Sequence, residues 1–260
     1  MHRDGYCCFS ASSREISMLC RTITVATSLL IAILVSAKAG VYTEEIPRDA
    51  GIKTVGIISA IGHTFTFEHV CASPLQWLEP PDTSFLEISD WGLDALVTHE
   101  AVDILSKKFH VKPVSFEEAD FDSWTWPNLL HRIDELPLPI DDIDAYIVIL
   151  RDWRGDEIGK SVQQLAGLGF YRRDTPGSPR LGIFASYRIV VLDARSPAIV
   201  ASLAVLAHGG ELPWSPATAD LWPNTQNDMT DGQRKTIQVN VRRLIENTLR
   251  PALDEITGDR

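Results

Sequence analysis

The carboxy-terminal amphipathic segment constrains the fold most. Thr230 and Gln233 fit a T-x-x-Q capping box. Behind them Ile237, Val241, Leu244, Ile245, Thr248, Leu249, Ala252 and Ile256 fall on one stripe of 3.6-residue period. A helix with so continuous an apolar stripe must bury it against another layer, and that layer has to be found upstream. Pro251 lies inside the stripe. It has no N–H to donate, so a kink or a restart, with a ragged end, is predicted there.

The covering layer is legible as strands. Ala145–Leu150 (AYIVIL) is apolar without alternation, the pattern of a central strand buried on both faces. Leu181–Leu192 and Ala198–Ala207, joined by Asp193–Pro197, read as an antiparallel pair. Val111–Ser115 and Gly167–Tyr171 add two short strands. Lys53–Ala60 and His63–Val70, separated by Ile61-Gly62, read as a β-hairpin. In its second strand Phe65 and Phe67 share a face with His63 and His69, while Thr64, Thr66 and Glu68 take the other. Asp90 is placed to cap a helix reaching about Phe109, whose inner stripe is Leu93, Val97, Ala101, Ile104, Leu105 and Lys108. Residues 117–144 are the most acidic stretch, with a short helix expected from Pro127. Residues 208–229 read as a long loop. The order predicts one α+β domain, a mixed and mostly antiparallel sheet covered by at least two helices.

Ahead of this domain, Thr22–Ala37 carries no charge, follows Arg21 and precedes Ala37-Lys38-Ala39. A cationic flank, a short apolar stretch and an A-x-A site make a signal peptide. The run is short for a helix that must cross about 30 Å of hydrocarbon. Residues 1–39 are therefore expected to be a leader cleaved after Ala39, with Met18 as an alternative start to Met1. Residues 40–260 are expected to be periplasmic or secreted, with no transmembrane helix left. The competing reading is an uncleaved amino-terminal helix that anchors the chain in the membrane. Loss of the leader removes Arg3, Arg14, Arg21 and Lys38 against Asp4 and Glu15, which shifts the net charge from −11 to −13. That balance excludes a general nucleic-acid binder, which needs surplus cations to displace counterions. Cys71 is the single cysteine left, so no intramolecular disulfide is expected.

No complete chemical motif emerges. His63 and His69 would lie about 20 Å apart on one strand, and His99-Glu100 lacks the second histidine of a zinc helix. No metal site and no cofactor are expected. Asp120 and Asp122 open like a calcium loop, but Trp124 stands at the third ligand position; Asp141, Asp142 and Asp144 are equally incomplete. A solvated acidic face is the favoured reading, weak calcium binding the lesser one. Ser59 and His208-Gly209-Gly210 each follow a strand, which leaves a hydrolase as an alternative, without G-x-S-x-G or S-x-x-K to support it. Gly167-x-Gly169 has no Walker lysine, and Arg172, Arg173 and Arg180 read as local charge balance.

Two long connections each hold a pair of tryptophans: Trp124 and Trp126 in the acidic insert, Trp214 and Trp222 before the last helix. Such rings pin loops to the core, and they are also the candidate residues for binding a ligand or partner.

The segments KTVGIISAIGHTFTF, WGLDALVTHEAVDILSKKF, DAYIVIL and ASYRIVVLDARSPAIVASLAV together resemble small α/β domains of the curli-secretion lipoprotein and TolB amino-terminal type. Val191-Leu192-Asp193-Ala194 stands where those domains turn in a late hairpin. The resemblance spans most of residues 53–207, lies in pattern, and extends to uncharacterised secreted α/β proteins of proteobacteria. No cysteine follows the leader as a lipid acceptor, so lipid attachment is not implied, and no functional residue is carried over. The expectation is an exported, non-enzymatic envelope domain that binds a protein or another envelope component.

Overall fold

The computed structural model describes residues 45–47, 50–70, 82–114, 125–126, 128–129, 142–159, 163–174, 179–196, 198–223 and 228–258. All of them fall within one compact unit, Val41–Arg260. In chain order they form β1 (Thr54–Ala60), β2 (Thr64–Val70), β3 (Asp82–Glu87), α1 (Leu93–Leu105), β4 (His110–Pro113), β5 (Ala145–Arg151) and β6 (Trp153–Gly155). Then come β7 (Gln164–Arg173), β8 (Arg180–Asp193), β9 (Ile199–Ala204), β10 (Trp214–Pro216) and α2 (Asp231–Ile256).

The strands make one curled mixed sheet in the order β3-β2-β7-β8-β5-β1-β4, with β9 and β10 added to β8 and β6 to β7. Among the described strands the parallel pairings are β1–β4, β1–β5 and β2–β7; the others are antiparallel. This is the expected α+β domain. β5 is its interior, flanked by β1 and β8 and buried from Ala145 to Leu150, as an unbroken apolar run requires.

One face carries Val55, Ile57, Ile147, Ile149, Ile189 and Val191, and both helices close over it. From α1 come Leu93, Val97, Ala101, Ile104 and Leu105; from α2 come Ile237, Val241, Ile245, Leu249 and Ile256. The capping box forms: Thr230 Oγ1 accepts from Gln233 N at 3.2 Å, and Gln233 Oε1 accepts from Thr230 N at 2.9 Å. On the opposite face Ile58, Tyr146, Val148, Leu150, Val190 and Leu192 pack with Leu129 and Trp126. Trp126, Asn128 and Leu129 are helical, in line with the short helix expected there.

Four expectations are corrected. β1 and β2 exist at the anticipated positions but do not pair. β1 lies between β4 and β5, and β2 between β3 and β7. The cause is Asp94 in the first turn of α1. Its carboxylate accepts from Ser59 Oγ at 2.6 Å, Ile61 N at 3.0 Å and Gly62 N at 3.2 Å, and lies 3.4 Å from His63 Nε2. The connection is thereby tied to a helix instead of closing a hairpin. Gly62 is required by close approach, since a Cβ there would sit 2.7 Å from Asp94 Oδ2.

Asp90 does not cap α1. The residue before the helix is Gly92 at φ 62°, and Asp90 instead binds Arg234 of α2 at 2.6 Å. α2 does not restart at Pro251: one helix runs through it to Ile256; Ala252, Leu253 and Ile256 beyond it are buried and hold the last turns down. Residues 208–229 are not all loop: β10 pairs with Phe184, Ile183 and Gly182 of β8, and residues 219–221 make a 3-10 turn.

Asp94→Ala is expected to lower stability by about 3 kcal/mol, because three donors lose a charged acceptor at once. The shift of the urea midpoint measures this. A change below about 0.5 kcal/mol would show that Asp94 does not hold the connection.

Candidate functional site

β8 is the longest strand, and its halves have different neighbours. Residues 180–186 pair with β7, residues 187–193 with β5 and 188–192 with β9. The exchange happens at a polar corner. Asp152, 2% exposed, follows β5. Its N–H donates to Ser186 O at 3.0 Å, and its carbonyl accepts from Gly167 N at 3.2 Å. Gly167 has φ 64° and marks where β7 leaves β6 for β8. The Asp152 carboxylate accepts from Arg188 Nε at 3.1 Å, and Arg188 Nη2 lies 3.0 Å from the same oxygen. Arg188 Nη1 donates to Ser202 Oγ of β9 at 3.0 Å, and its guanidinium lies 4.5 Å from the centre of the Trp126 ring.

Beyond this corner a groove of about 630 Å³ opens, lined among others by Arg154, Arg188, Ser202, Ala204, His208 and Glu255. Arg188 and Ser202 belong to the sheet face away from the helices, whereas Thr248 and Ala252 on α2 belong to the other, and all four line it. The groove therefore passes along the outer edge of β9. Among the described strands β9 pairs with β8 alone. Val205 N donates to Tyr187 O at 3.0 Å, so residue 205, and by alternation 203 and 201, turn their main-chain groups toward β8. Ser202 and Ala204 turn theirs outward, into the groove.

Among the described strands the other edges carry blocking residues. β4 has Lys112 and Pro113, β3 begins with Asp82 and ends with Glu87, β6 holds Arg154 and β10 ends at Pro216. β9, IVASLA, has neither charge nor proline. The second wall is α2, through Asn247, Thr248, Pro251, Ala252 and Glu255. Thr248 Oγ1 donates to Leu244 O at 2.7 Å and bonds the buried Tyr187 hydroxyl at 2.7 Å, which fixes this wall over β8. Burial pushes the Tyr187 phenol well above its ordinary pKa.

His208 lines the groove, but Ser59 does not; Ser59 is 0% exposed, with its hydroxyl on Asp94. The tryptophans are not brought together. Trp126 packs on the face away from the helices under Arg188. Trp214 lies in β10 against Gly182, with Phe184 and Leu212 in the same cluster. Trp222 packs edge-on against Phe67 and Phe170. Trp124, Cys71, Asp120, Asp122 and Asp141 lie outside the described residues. Asp144 accepts from Thr54 N at 2.9 Å and Lys53 N at 3.0 Å, bonds that hold its carboxyl below the usual range. Among the described residues no three His, Cys, Asp or Glu side chains gather as metal ligands.

A second polar cluster lies on β2, where the Thr66/Glu68 face, read as polar, is buried. Glu68 is 6% exposed, and its Oε2 has no hydrogen-bond partner among the described residues. It stands in register with Tyr171 of β7, whose hydroxyl donates to the buried Asp156 at 2.7 Å. Burial, and then the charge of Asp156, push Glu68 up to about 7.

No family model and no curated protein sequence matches this chain. Three solved structures are similar in part. A protein from Xanthomonas campestris is 11% identical, with 84% of this chain and 86% of that one covered and a TM-score of 0.33. A lipoprotein from Neisseria meningitidis is 13% identical over 75% and 99%, at 0.27. A hypothetical protein from Chlamydia trachomatis is 10% identical over 80% and 96%, at 0.29.

The Glu68 environment has a measurable consequence. The carboxyl titrates near 4.5 when unfolded and about 7 when folded. Its protonated form is fully present in both states below 4.5, and stability is then lost as pH rises from 4.5 through 7. Glu68→Gln is expected to flatten that part of the stability–pH curve and to raise the melting temperature at pH 8. An unchanged curve would show that Glu68 is not held in this environment.

Proposed function

We propose that this chain is an exported, non-enzymatic domain that binds another protein by accepting an extended segment of it along the outer edge of β9 at Ser202 and Ala204. The observation that carries the reading is the pair of outward main-chain positions, Ser202 and Ala204, in a groove of about 630 Å³ beside an edge strand without charge or proline. Unpaired edge N–H and C=O groups are a template for strand addition, and natural sheets ordinarily block them.

Export rests on Arg21, the uncharged run Thr22–Ala37 and Ala39, with cleavage after Ala39 placing the domain in the periplasm or outside the cell. Among the described residues no helix is long and apolar enough to cross a membrane. Trp126 supports the site through Arg188, which stacks on its ring and holds Ser202. Trp214 and Trp222 serve to seat the segment before α2. The Ser59 hydroxyl is already committed to Asp94, so catalysis by Ser59 and His208 is not part of the reading.

The test is photo-crosslinking in cells with benzoylphenylalanine placed at Leu206, which lines the groove, or at the exposed Val239 of α2. Leu206 is expected to give a discrete adduct with another protein, and Val239 none. Ala204→Pro, which removes an outward N–H without touching the β8 ladder, is expected to abolish the adduct while the circular dichroism stays native. An adduct that persists in Ala204→Pro, or no adduct from Leu206, would refute the proposal.

A further inference from the structure

We infer that the partner segment received at Ser202 and Ala204 is uncharged along its docked stretch, a strand of neutral residues such as valine, isoleucine and threonine. This deepens the strand-docking reading and rests on it. A strand laid against β9 turns alternate side chains to the two sheet faces, so each set meets a different wall.

Among the described residues that line the groove, each charged group already has a partner. On the face away from the helices Arg188 is matched to the buried Asp152, and its Nη1 donates to Ser202 Oγ. Arg154 is matched to Glu157 through Nη2 at 2.5 Å and Nε at 3.2 Å. Glu157 also accepts from Leu212 N at 2.6 Å, which holds that pair in place. On the α2 face Thr248 Oγ1 is committed to Leu244 O and to the Tyr187 hydroxyl. Glu255 has an interaction of its own, and Lys108 Nζ donates to the Thr257 carbonyl at the end of the helix. His208 and Asn247, the other polar lining residues, are exposed to water. Ala204, Leu206, Pro251 and Ala252 add apolar surface.

A charged side chain brought into this groove gives up water and finds the nearby counter-charges engaged. A neutral side chain has no such penalty, and its main chain gains the bonds offered by Ser202 and Ala204. The exclusion therefore applies to both signs. The chain's net charge of −11 would by itself draw in a lysine, so exclusion of lysine is the part that long-range electrostatics cannot imitate.

The test uses the folded full-length domain and fluorescent peptides of about ten alternating valines and threonines. The parent has threonine at the centre; three others carry glutamine, glutamate or lysine there. The threonine and glutamine peptides are expected to bind equally, and about tenfold more tightly than either charged one. Glu157→Gln keeps an acceptor for Leu212 N but leaves Arg154 unmatched. It should bring the glutamate peptide up to the neutral ones and leave those unchanged. Ala204→Pro should remove the binding of all four. A charged peptide that binds as tightly as the neutral pair overturns the inference and leaves strand docking standing. So does a glutamate peptide that stays weak on Glu157→Gln, or a glutamine peptide as weak as the glutamate one, which would mean selection by size. If no peptide binds at millimolar concentration, or if Ala204→Pro leaves binding unchanged, strand docking falls and takes the inference with it. A chain whose sedimentation shows a dimer that Ala204→Pro dissociates assigns the edge to a second copy, and this too overturns the inference.

Discussion

The structure turns on the buried ion pair between Asp152 and Arg188. The aspartate is nearly inaccessible, accepts from Arg188 Nε through Oδ2 with Nη2 in ion-pair contact, and uses its own main chain to bridge Ser186 and Gly167. Its placement marks where β8 trades β7 for β5 and where β6 and the start of β7 turn away. Along the other side of β8, β10 is followed by β9. Loss of Arg188 would leave the Asp152 charge buried and unmatched, at a cost of about 3 kcal/mol. So costly an arrangement, joined by Arg188 to the Ser202 side chain, keeps β9 and its outer edge in a defined position.

Two other polar anchors share that logic. Asp94 gathers Ser59, Ile61 and Gly62 at the start of α1, and Asp144 gathers Lys53 and Thr54 at the start of β1. Each carboxylate occupies a strand end and accepts from the main-chain donors there. The acidic composition of the chain is thus partly architectural. Several of its carboxylates serve as acceptors for the backbone.

Much of the architecture was legible from residue pattern. The apolar run of β5, the β8–β9 pair and the capped stripe of α2 each announce themselves locally, through periodicity and a capping box. What local pattern could not convey was partnership. The segments on either side of Ile61-Gly62 look like a hairpin because both strands are real and the spacer is short. The competitor was a carboxylate more than thirty residues away in sequence, invisible to any window. The restart considered at Pro251 fails for a related reason: the missing N–H argues for it, while the buried Ala252, Leu253 and Ile256 beyond keep α2 one helix. The groove was the least legible part. Arg154, Arg188, Ser202 and Ala204 belong to no motif. One signal was available, the stretch Ile199–Ala204 without charge or proline, but it becomes informative only when β9 is known to lie at an edge.

Amide hydrogen exchange in the free domain, resolved residue by residue along β9, tests the open edge most directly. Ala201, Leu203 and Val205 donate into the β8 ladder and should exchange slowly, whereas the amides of Ser202 and Ala204 should exchange orders of magnitude faster. Uniform slow exchange across residues 201–205 would mean that the edge is already covered, and the account of a strand-receiving groove would be wrong.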